Sequence, residues 1–369
     1  MKIVCDTSIL CQACQAVQKA ASSKAALPAI DGILLSAENN ALTLTAYDLE
    51  LGIKTTINAD IEEEGKIVIN AHLLTETLRT LDGNTVEIQS DVRQVATIQS
   101  NDFKATLIGM SFDEYPELPV VTSGHPVKIK QKKLKDMIRQ TIFSVAVKDS
   151  KIVHTGIKFE IENNHIRLIA VDGVRLAIRD ELIAYSGEGL NFVVPAKTLS
   201  ELVKLLDDDE NEINIGIGNK HIIFNVKQYS IISRLLDGEF LNYKAAIPPQ
   251  SKTVAVVDSG EMLNMISRIS LYIQDRIKNP VKCSVSQGYI NVSAVTAVGT
   301  AQDRLKCDIS GADCVVGFNN KYLTDVLRVC DTDKVCVKFN GPISPILVTP
   351  VEGDSFTFLI LPVRLKNED

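Results

Sequence analysis

The sequence predicts an α+β protein built from three copies of one module, each with two helices laid over antiparallel sheet. Three landmarks recurring at one spacing carry that prediction. The stretches "VINAHLLTETLRTLDG", "VVPAKTLSELVKLLDD" and "VGFNNKYLTDVLRVCD" align on Leu74, Leu199 and Leu323, which lie 125 and 124 residues apart. The stretches "LTLTAYDLEL", "IRLIAVDGVRL" and "INVSAVTAVG" align on Ala46, Ala170 and Ala294, each 124 residues from the next. Gly32, Gly156 and Pro280 repeat the same interval. Independent landmarks that share a period identify an internal repeat. The proline-bearing linkers "YPELPVVTSGHPV" and "YKAAIPPQSK" then divide the 369 residues into modules at 1–125, 126–250 and 251–369.

Each copy reads as a short strand, a helix, alternating strands, a second helix and further strands. First helices are expected near 8–21, 131–146 and 260–273, and second helices near 71–81, 196–206 and 320–330. In the middle copy's second helix Leu199, Leu202, Val203 and Leu206 form the buried stripe, with Lys197 and Lys204 opposite. Lys321 and Arg328 repeat this placement in the third copy, and His72 and Arg79 in the first. The middle copy's first helix sets Lys132, Lys135 and Arg139 against Leu134, Ile138 and Val145. Acids at Glu76, Glu201 and Asp325 suit an ordinary solvated face, whereas the repeated register in an acidic chain suits a surface turned toward a polyanion.

Composition narrows the function. A net charge of −7 argues against nucleic acid coating the whole surface and leaves room for a local basic patch. Aromatic residues are sparse and tryptophan is absent, which disfavours base-stacking platforms. The apolar start is interrupted at Asp6 and no long apolar run follows, so neither a membrane span nor a signal peptide is expected. Cys11 and Cys14 have C-x-x-C spacing inside a helical run, without a second pair. The eight cysteines are therefore expected as buried, reduced thiols of a cytosolic protein rather than zinc ligands. The catalytic patterns G-x-x-x-x-G-K-[ST], H-E-x-x-H and G-x-S-x-G do not occur, and the histidines at 72, 125, 154, 165 and 221 lack metal-ligand spacing. Gly216 and Gly218 lack the third glycine of a dinucleotide loop, and "DDDENE" at 207–212 suits a solvated turn. A non-catalytic binding protein without metal or cofactor is expected.

The ending "SFTFLILPVRLKNED" poses a separate question, because both faces of its strand are apolar. Phe356, Phe358 and Ile360 are assigned to the core. Leu359, Leu361 and Val363 are assigned to the outer face, with Pro362 turning the end of the strand. An exposed apolar face of this kind marks a partner site.

With "AVDGVRLAI", "RLLDGEFLNY", "VGFNNKYLTDVL" and the final "LPVRL", the threefold module resembles the β subunit of bacterial DNA polymerase III, the β sliding clamp family. The resemblance covers essentially the whole chain. It implies a head-to-tail homodimer closed into a ring around double-stranded DNA, held without regard to sequence. Helices packed about 9 Å apart explain why one chain is too few. Six set their axes at a radius of about 9 Å, leaving almost no hole once a helix radius of about 5 Å is removed. Twelve leave an opening of roughly 24 Å, enough for a duplex about 20 Å across.

Partners implied by the resemblance are the replicative DNA polymerase, an ATP-driven clamp loader and other proteins carrying short clamp-binding motifs. Lys24, Lys148 and Lys151 join the helix cations as implied DNA contacts, and Leu107, Leu271 and Tyr272 are the implied dimer contact. The implied peptide pocket is walled by Val171, Gly173, Val174, Arg175 and Leu176, with Leu241, Ala245 and Ala246. Asn319, Tyr322 and Pro345 follow, and Leu359, Leu361, Pro362, Val363, Arg364 and Leu365 complete it. Val174 stands where the family often has histidine, Ala245 where it often has arginine, and "VGTAQDRLK" where it often has an acidic run. From the residues alone, a repeat-built interaction scaffold that does not encircle DNA is the alternative, and a carboxylate-dependent hydrolase stands further off.

Overall fold

A computed structural model describes residues 1–22, 27–122, 126–273 and 280–365. The first copy runs β1 (Lys2–Asp6), α1 (Thr7–Val17), β2 (Gly32–Glu38), β3 (Ala41–Tyr47), β4 (Leu51–Asn58), β5 (Asp60–Glu63) and β6 (Gly65–Asn70). It closes with α2 (Ala71–Arg79), β7 (Thr85–Ser90), β8 (Val95–Ser100) and β9 (Phe103–Ile108). The second runs β10 (Val127–Lys130), α3 (Gln131–Ile142), β11 (Gly156–Glu162), β12 (His165–Val171), β13 (Arg175–Leu182) and β14 (Leu190–Pro195). Then follow α4 (Ala196–Leu205), β15 (Glu212–Ile217), β16 (His221–Val226) and β17 (Tyr229–Arg234). The third runs β18 (Thr253–Asp258), α5 (Ser259–Ser270), β19 (Val281–Ser286), β20 (Tyr289–Thr296), β21 (Gly299–Lys306) and β22 (Asp308–Gly311). It ends with β23 (Cys314–Phe318), α6 (Asn320–Val329), β24 (Lys334–Phe339), β25 (Ile346–Pro350) and β26 (Phe356–Ile360).

The repeat is visible down to single turns. Asn39 and Asn40, Asn163 and Asn164, and Gln287 and Gly288 all have positive φ and close equivalent hairpins. Side chains cap four of the helices: Asp6 accepts from the Ile9 amide, Asn70 from Leu73, Asp258 from Glu261, and Asn319 from Lys321. All six helices stop short of their expected ends. After Ile142 the chain makes i→i+3 bonds (Ser144 N to Thr141 O at 3.0 Å, Val145 N to Ile142 O at 3.2 Å), so Val145 lies beyond α3.

Four sheets form, in the orders β5-β1-β7-β8-β9, β10-β15-β16-β17-β4-β3-β2-β6, β14-β11-β12-β13-β26-β25-β24-β18-β22 and β21-β20-β19-β23. The chain divides into two compact units, Met1–Gln131 with Thr198–Leu235, and Lys132–Lys197 with Leu236–Asp369. The second copy thus contributes four strands to one sheet of each unit. In the second unit, Met262, Met265, Ile266 and Ile269 of α5 and Leu323, Val326 and Leu327 of α6 share a core with Phe356, Phe358 and Ile360.

The repeated glycine is explained by close approach. A Cβ on Gly156 would lie 2.5 Å from the Val194 carbonyl oxygen, and one on Gly32 would collide with the Val68 side chain. Both glycines begin strands whose paired neighbours, β14 and β6, pass at this distance. Gly156→Ala should therefore destabilise the fold by about 1–3 kcal/mol, because a backbone carbonyl cannot rotate aside as a flexible side chain would. Denaturant unfolding measures this directly, and an unchanged midpoint would show that the strand moves freely.

Candidate functional site

In the second unit, one row of apolar residues crosses four strands. Val171 lies opposite Leu176, Leu176 opposite Leu359, and Leu359 opposite Leu347. Successive side chains alternate between faces, so Ala177, Phe358 and Val348, one position along, enter the helix-side core instead. The two-faced terminal strand is answered here: Phe356, Phe358 and Ile360 are fully buried below, and Leu359 belongs to the row above.

A strap, residues 240–247, covers part of that row. Its Tyr243 shares a buried cluster with Ile169, Val171, Leu176, Ile178, Leu347 and Leu359, and Phe240 and Ile247 pack against it. Leu359 is consequently only 3% exposed, and the expectation that it lies open to water is corrected. The open apolar rim consists of Val174, Leu241 and Leu361, with Ala245 and Ala246 exposed on the strap. Leu361 follows the strand and its amide donates to the Val174 carbonyl at 2.9 Å. Past half-buried Pro362, the Val363 amide donates to Gly317 O at 2.8 Å and Leu365 packs beside that glycine, while Arg364 is exposed.

The turn before β13 is built around Asp172. Its Oδ1 accepts from the amides of Val174 (3.1 Å) and Arg175 (2.8 Å), while Gly173 takes φ +86°. Arg175 donates to Asp172 at 2.9 Å and to Asp325 on α6 at 2.8 Å, and lies 4.5 Å from the Tyr322 ring centre. Its charge is thus engaged within the wall rather than offered to a ligand. Asn319 holds the N-terminus of α6, and Pro345 is half-buried beside Ile346 at the start of β25.

Beneath the strap is a polar network that sequence reasoning missed. The Tyr243 hydroxyl donates to Glu160 Oε2 at 2.7 Å, and Lys158 pairs with Glu160 Oε1 at 2.8 Å. Lys158 Nζ also sits 5.5 Å from the Phe240 ring centre and 5.7 Å from that of Tyr243. Burial and the neighbouring carboxylate push the Tyr243 phenol up to about 12. Burial opposes ionisation of Glu160, but its bonds to Lys158 and Tyr243 prevail and lower its pKa. Ile343, 80% exposed two residues before Pro345, is a further apolar side chain that the sequence reading passed over.

The helix cations divide. In the first unit His72 and Arg79 on α2 and Lys204 on α4 are exposed, with Arg79 paired to Glu76 and Lys204 to Glu201. Lys197, the last residue that the second unit takes before α4 passes to the first, is exposed as well. In the second unit Lys132, Arg139, Lys321 and Arg328 are exposed, as are Lys148 and Lys151 in the loop after α3. Lys135 is a correction: it is 8% exposed. Three helical steps place it roughly 60° from Ile138, on the edge of a buried arc that also takes Gln131 and Gln140. Lys24 lies outside the described residues.

A second correction concerns β9. Leu107 turns inward at 9% exposure, and the outward apolar residue is Ile108 at 86%. Leu271 (83%) and Tyr272 (42%) are exposed as expected of a contact surface. The turn 207–212 is tied by ion pairs of Asp207 with Lys227 and Glu210 with Lys130. All eight cysteines are free thiols, and burial pushes Cys5 and Cys330 up to about 12. Among the described residues no group of three His, Cys, Asp or Glu is arranged to hold a metal ion, and no helix is long and apolar enough to cross a membrane.

Comparison with known proteins covers the whole of this architecture. Models of the DNA polymerase III beta subunit match in order: the N-terminal domain at residues 1–119, the central domain at 128–242 and the C-terminal domain at 244–364. The beta sliding clamp of Halalkalibacterium halodurans is 32% identical over 378 residues, covering 99% of this chain and 100% of that protein. The Bacillus subtilis beta sliding clamp is 32% identical over 376 residues, with the same coverage. Among solved structures, the DNA polymerase sliding clamp from Bacillus subtilis superposes with TM-score 0.96 at 31% identity, covering 99% of this chain and 100% of that one. The DNA polymerase III beta subunit from Thermotoga maritima gives 0.90 at 26% identity, with the same coverage.

Proposed function

The chain belongs to the DNA polymerase III beta subunit family, the beta sliding clamps, and from that membership we propose that it encircles duplex DNA as a head-to-tail homodimer and tethers the replicative polymerase. It is a non-catalytic processivity factor. It works in the cytoplasm and is opened by a clamp loader. The apolar row with its strap takes short peptide motifs from polymerase and other replication and repair proteins.

The observation that carries the ring is one seam made twice. In the first unit β17 pairs with β4, from Tyr229 opposite Thr55 to Ser233 opposite Leu51, and the Arg234 amide then reaches Glu50 O at 2.8 Å. In the second unit β26 pairs with β13, from Phe356 opposite Arg179 to Ile360 opposite Arg175, and the Leu361 amide then reaches Val174 O. Thr55 and Arg179 are 124 residues apart, and the same step leads to Asp303 in β21. In the first copy β9 holds the place of β17 and β26. Both β9 and β21 are sheet edges, and such edges invite pairing.

Copying the register sets Phe103 opposite the partner's Asp303 and Leu107 opposite the partner's Gly299, with the Ile108 amide on the partner's Val298 carbonyl. Exposed Ile108 and Val298 then cover each other. Repeating one seam at each junction closes a ring and leaves neither β9 nor β21 as an unpaired edge.

A Thr106→Cys/Thr300→Cys variant should oxidise to a covalent dimer of twice 40.4 kDa, while neither single variant does. Loaded on closed circular DNA while reduced and oxidised afterwards, the ring should remain through high salt and leave when the circle is cut. A protein that stays monomeric at micromolar concentration, or DNA retention indifferent to cutting, would overturn the ring.

The exposed helix cations suit weak phosphate contact, which permits sliding because it carries no base readout. Reversing Lys197, Lys204, Lys321 and Arg328 to glutamate should leave the dimer intact and flatten the salt dependence of DNA contact by about one log–log unit per lost phosphate. An unchanged slope would make these faces merely solvated.

Leu361→Asp should cost a bound peptide about tenfold or more in affinity, since an unpaired charge would replace an apolar anchor, while melting temperature barely moves. Unfolding of this variant with peptide capture retained would make Leu361 a core residue.

A further inference from the structure

The strap has no place in the sheet's hydrogen-bond ladder. Its backbone bonds are internal: Tyr243 N to Leu241 O, Ala245 N to Asn242 O and Ile247 N to Lys244 O. Among the described residues none of its amides bonds to a strand. Side chains alone therefore seat it, and Tyr243 is the one member of the strap that is fully buried, at 4% exposure. The base it meets is cross-linked by ion pairs. Glu160 on β11 is held by Lys158 at 2.8 Å and approached by Arg167 of β12 at 3.7 Å. Arg167 is anchored in turn on Asp180 of β13, through its Nε at 2.8 Å, and Asp180 also takes His165 at 2.6 Å.

Resting on the peptide-pocket reading above, we infer that the Tyr243–Glu160 hydrogen bond is a latch that seats the strap on the sheet. Through it, Tyr243 positions the wall that Leu241, Ala245 and Ala246 present to a peptide. Tyr243 touches no ligand itself. It acts through the strap, whose far side stays open to water while its near side is tied to a carboxylate in a mostly buried setting. A bond to an ionised acceptor is stronger than a neutral one and fixes direction as well as distance. The phenol keeps its proton and the carboxylate stays ionised across the neutral range, so the latch is closed under ordinary conditions.

The test uses the 369-residue chain and a fluorescein-labelled octapeptide, selected on the wild type from a library of peptides with apolar anchors. Tyr243→Phe keeps the ring in its cluster and removes the latch, and Glu160→Gln weakens the same bond from the other side. Each should raise the peptide Kd about tenfold, and the double variant should fall well short of the roughly hundredfold expected of independent sites, because both variants disturb the same bond. Hydrogen exchange at the Ala245 and Ile247 amides should quicken by tenfold or more, with the strand amides of Leu176 and Leu359 unchanged. A melting temperature that falls while Kd stays within twofold would reduce the bond to a stabilising contact and overturn the inference. If the wild type captures no peptide, the pocket reading fails instead. Exchange then judges the latch, and an unaltered rate at Ala245 and Ile247 overturns it.

Discussion

Antiparallel pairing between strands of successive copies is the constraint on which everything else depends. A single copy folds its two helices over sheet, yet each sheet would end in a row of unpaired amides and carbonyls. Pairing β17 with β4 and β26 with β13 satisfies those groups and fixes the register of every side chain on either side of each seam. The candidate pocket is a consequence. Only because Leu176 and Leu359 are placed opposite each other does a continuous apolar row extend from Val171 to Leu347.

Polar chemistry in the second unit serves this geometry. Arg175 ties the β13 turn to α6 through Asp172 and Asp325, which links the turn beside the candidate site to the neighbouring helix. The side chain is only 11% exposed. Removing one member of such a pair leaves a charge without its partner, which costs more than the pair itself contributes. Glu160, Lys158 and Arg167 do comparable work at the strap. Around the open rim, by contrast, Val174, Leu241 and Leu361 carry no charge, so on the proposed peptide-site reading that rim offers shape and apolar area.

Much of this was legible in the sequence. The period near 124 located the six α-helices and the order of helix and strand in each copy, because the hydrophobic pattern repeats with it. The two faces of the C-terminal strand followed from alternation, and the family resemblance indicated which of them is core. What escaped depends on single-residue geometry or distant contact. In "FKATLI" the adjacent Leu107 and Ile108 are equally apolar, and shifting alternation by one residue exchanges inside for outside. Lys135 lies at the margin of a helical face, where a few tens of degrees decide burial. Tyr243 and Glu160 are 83 residues apart, and a glutamate alternating with lysine on a strand looks the same in sequence whether it faces water or a tyrosine.

The single strand β26 serves two masters, with Phe358 under the helices and Leu359 in the outer row. For a competitive inhibitor this separates durable anchors from fragile ones. Val171, Leu176, Leu359 and Leu347 are buried beneath the strap, so a compound reaches them only by displacing it, and it then meets side chains whose replacement would cost the protein its own packing. One relying on Val174, Leu241 or Leu361 meets exposed residues that can change at little structural cost. Resistance to a groove-directed drug should accordingly arise first along the rim.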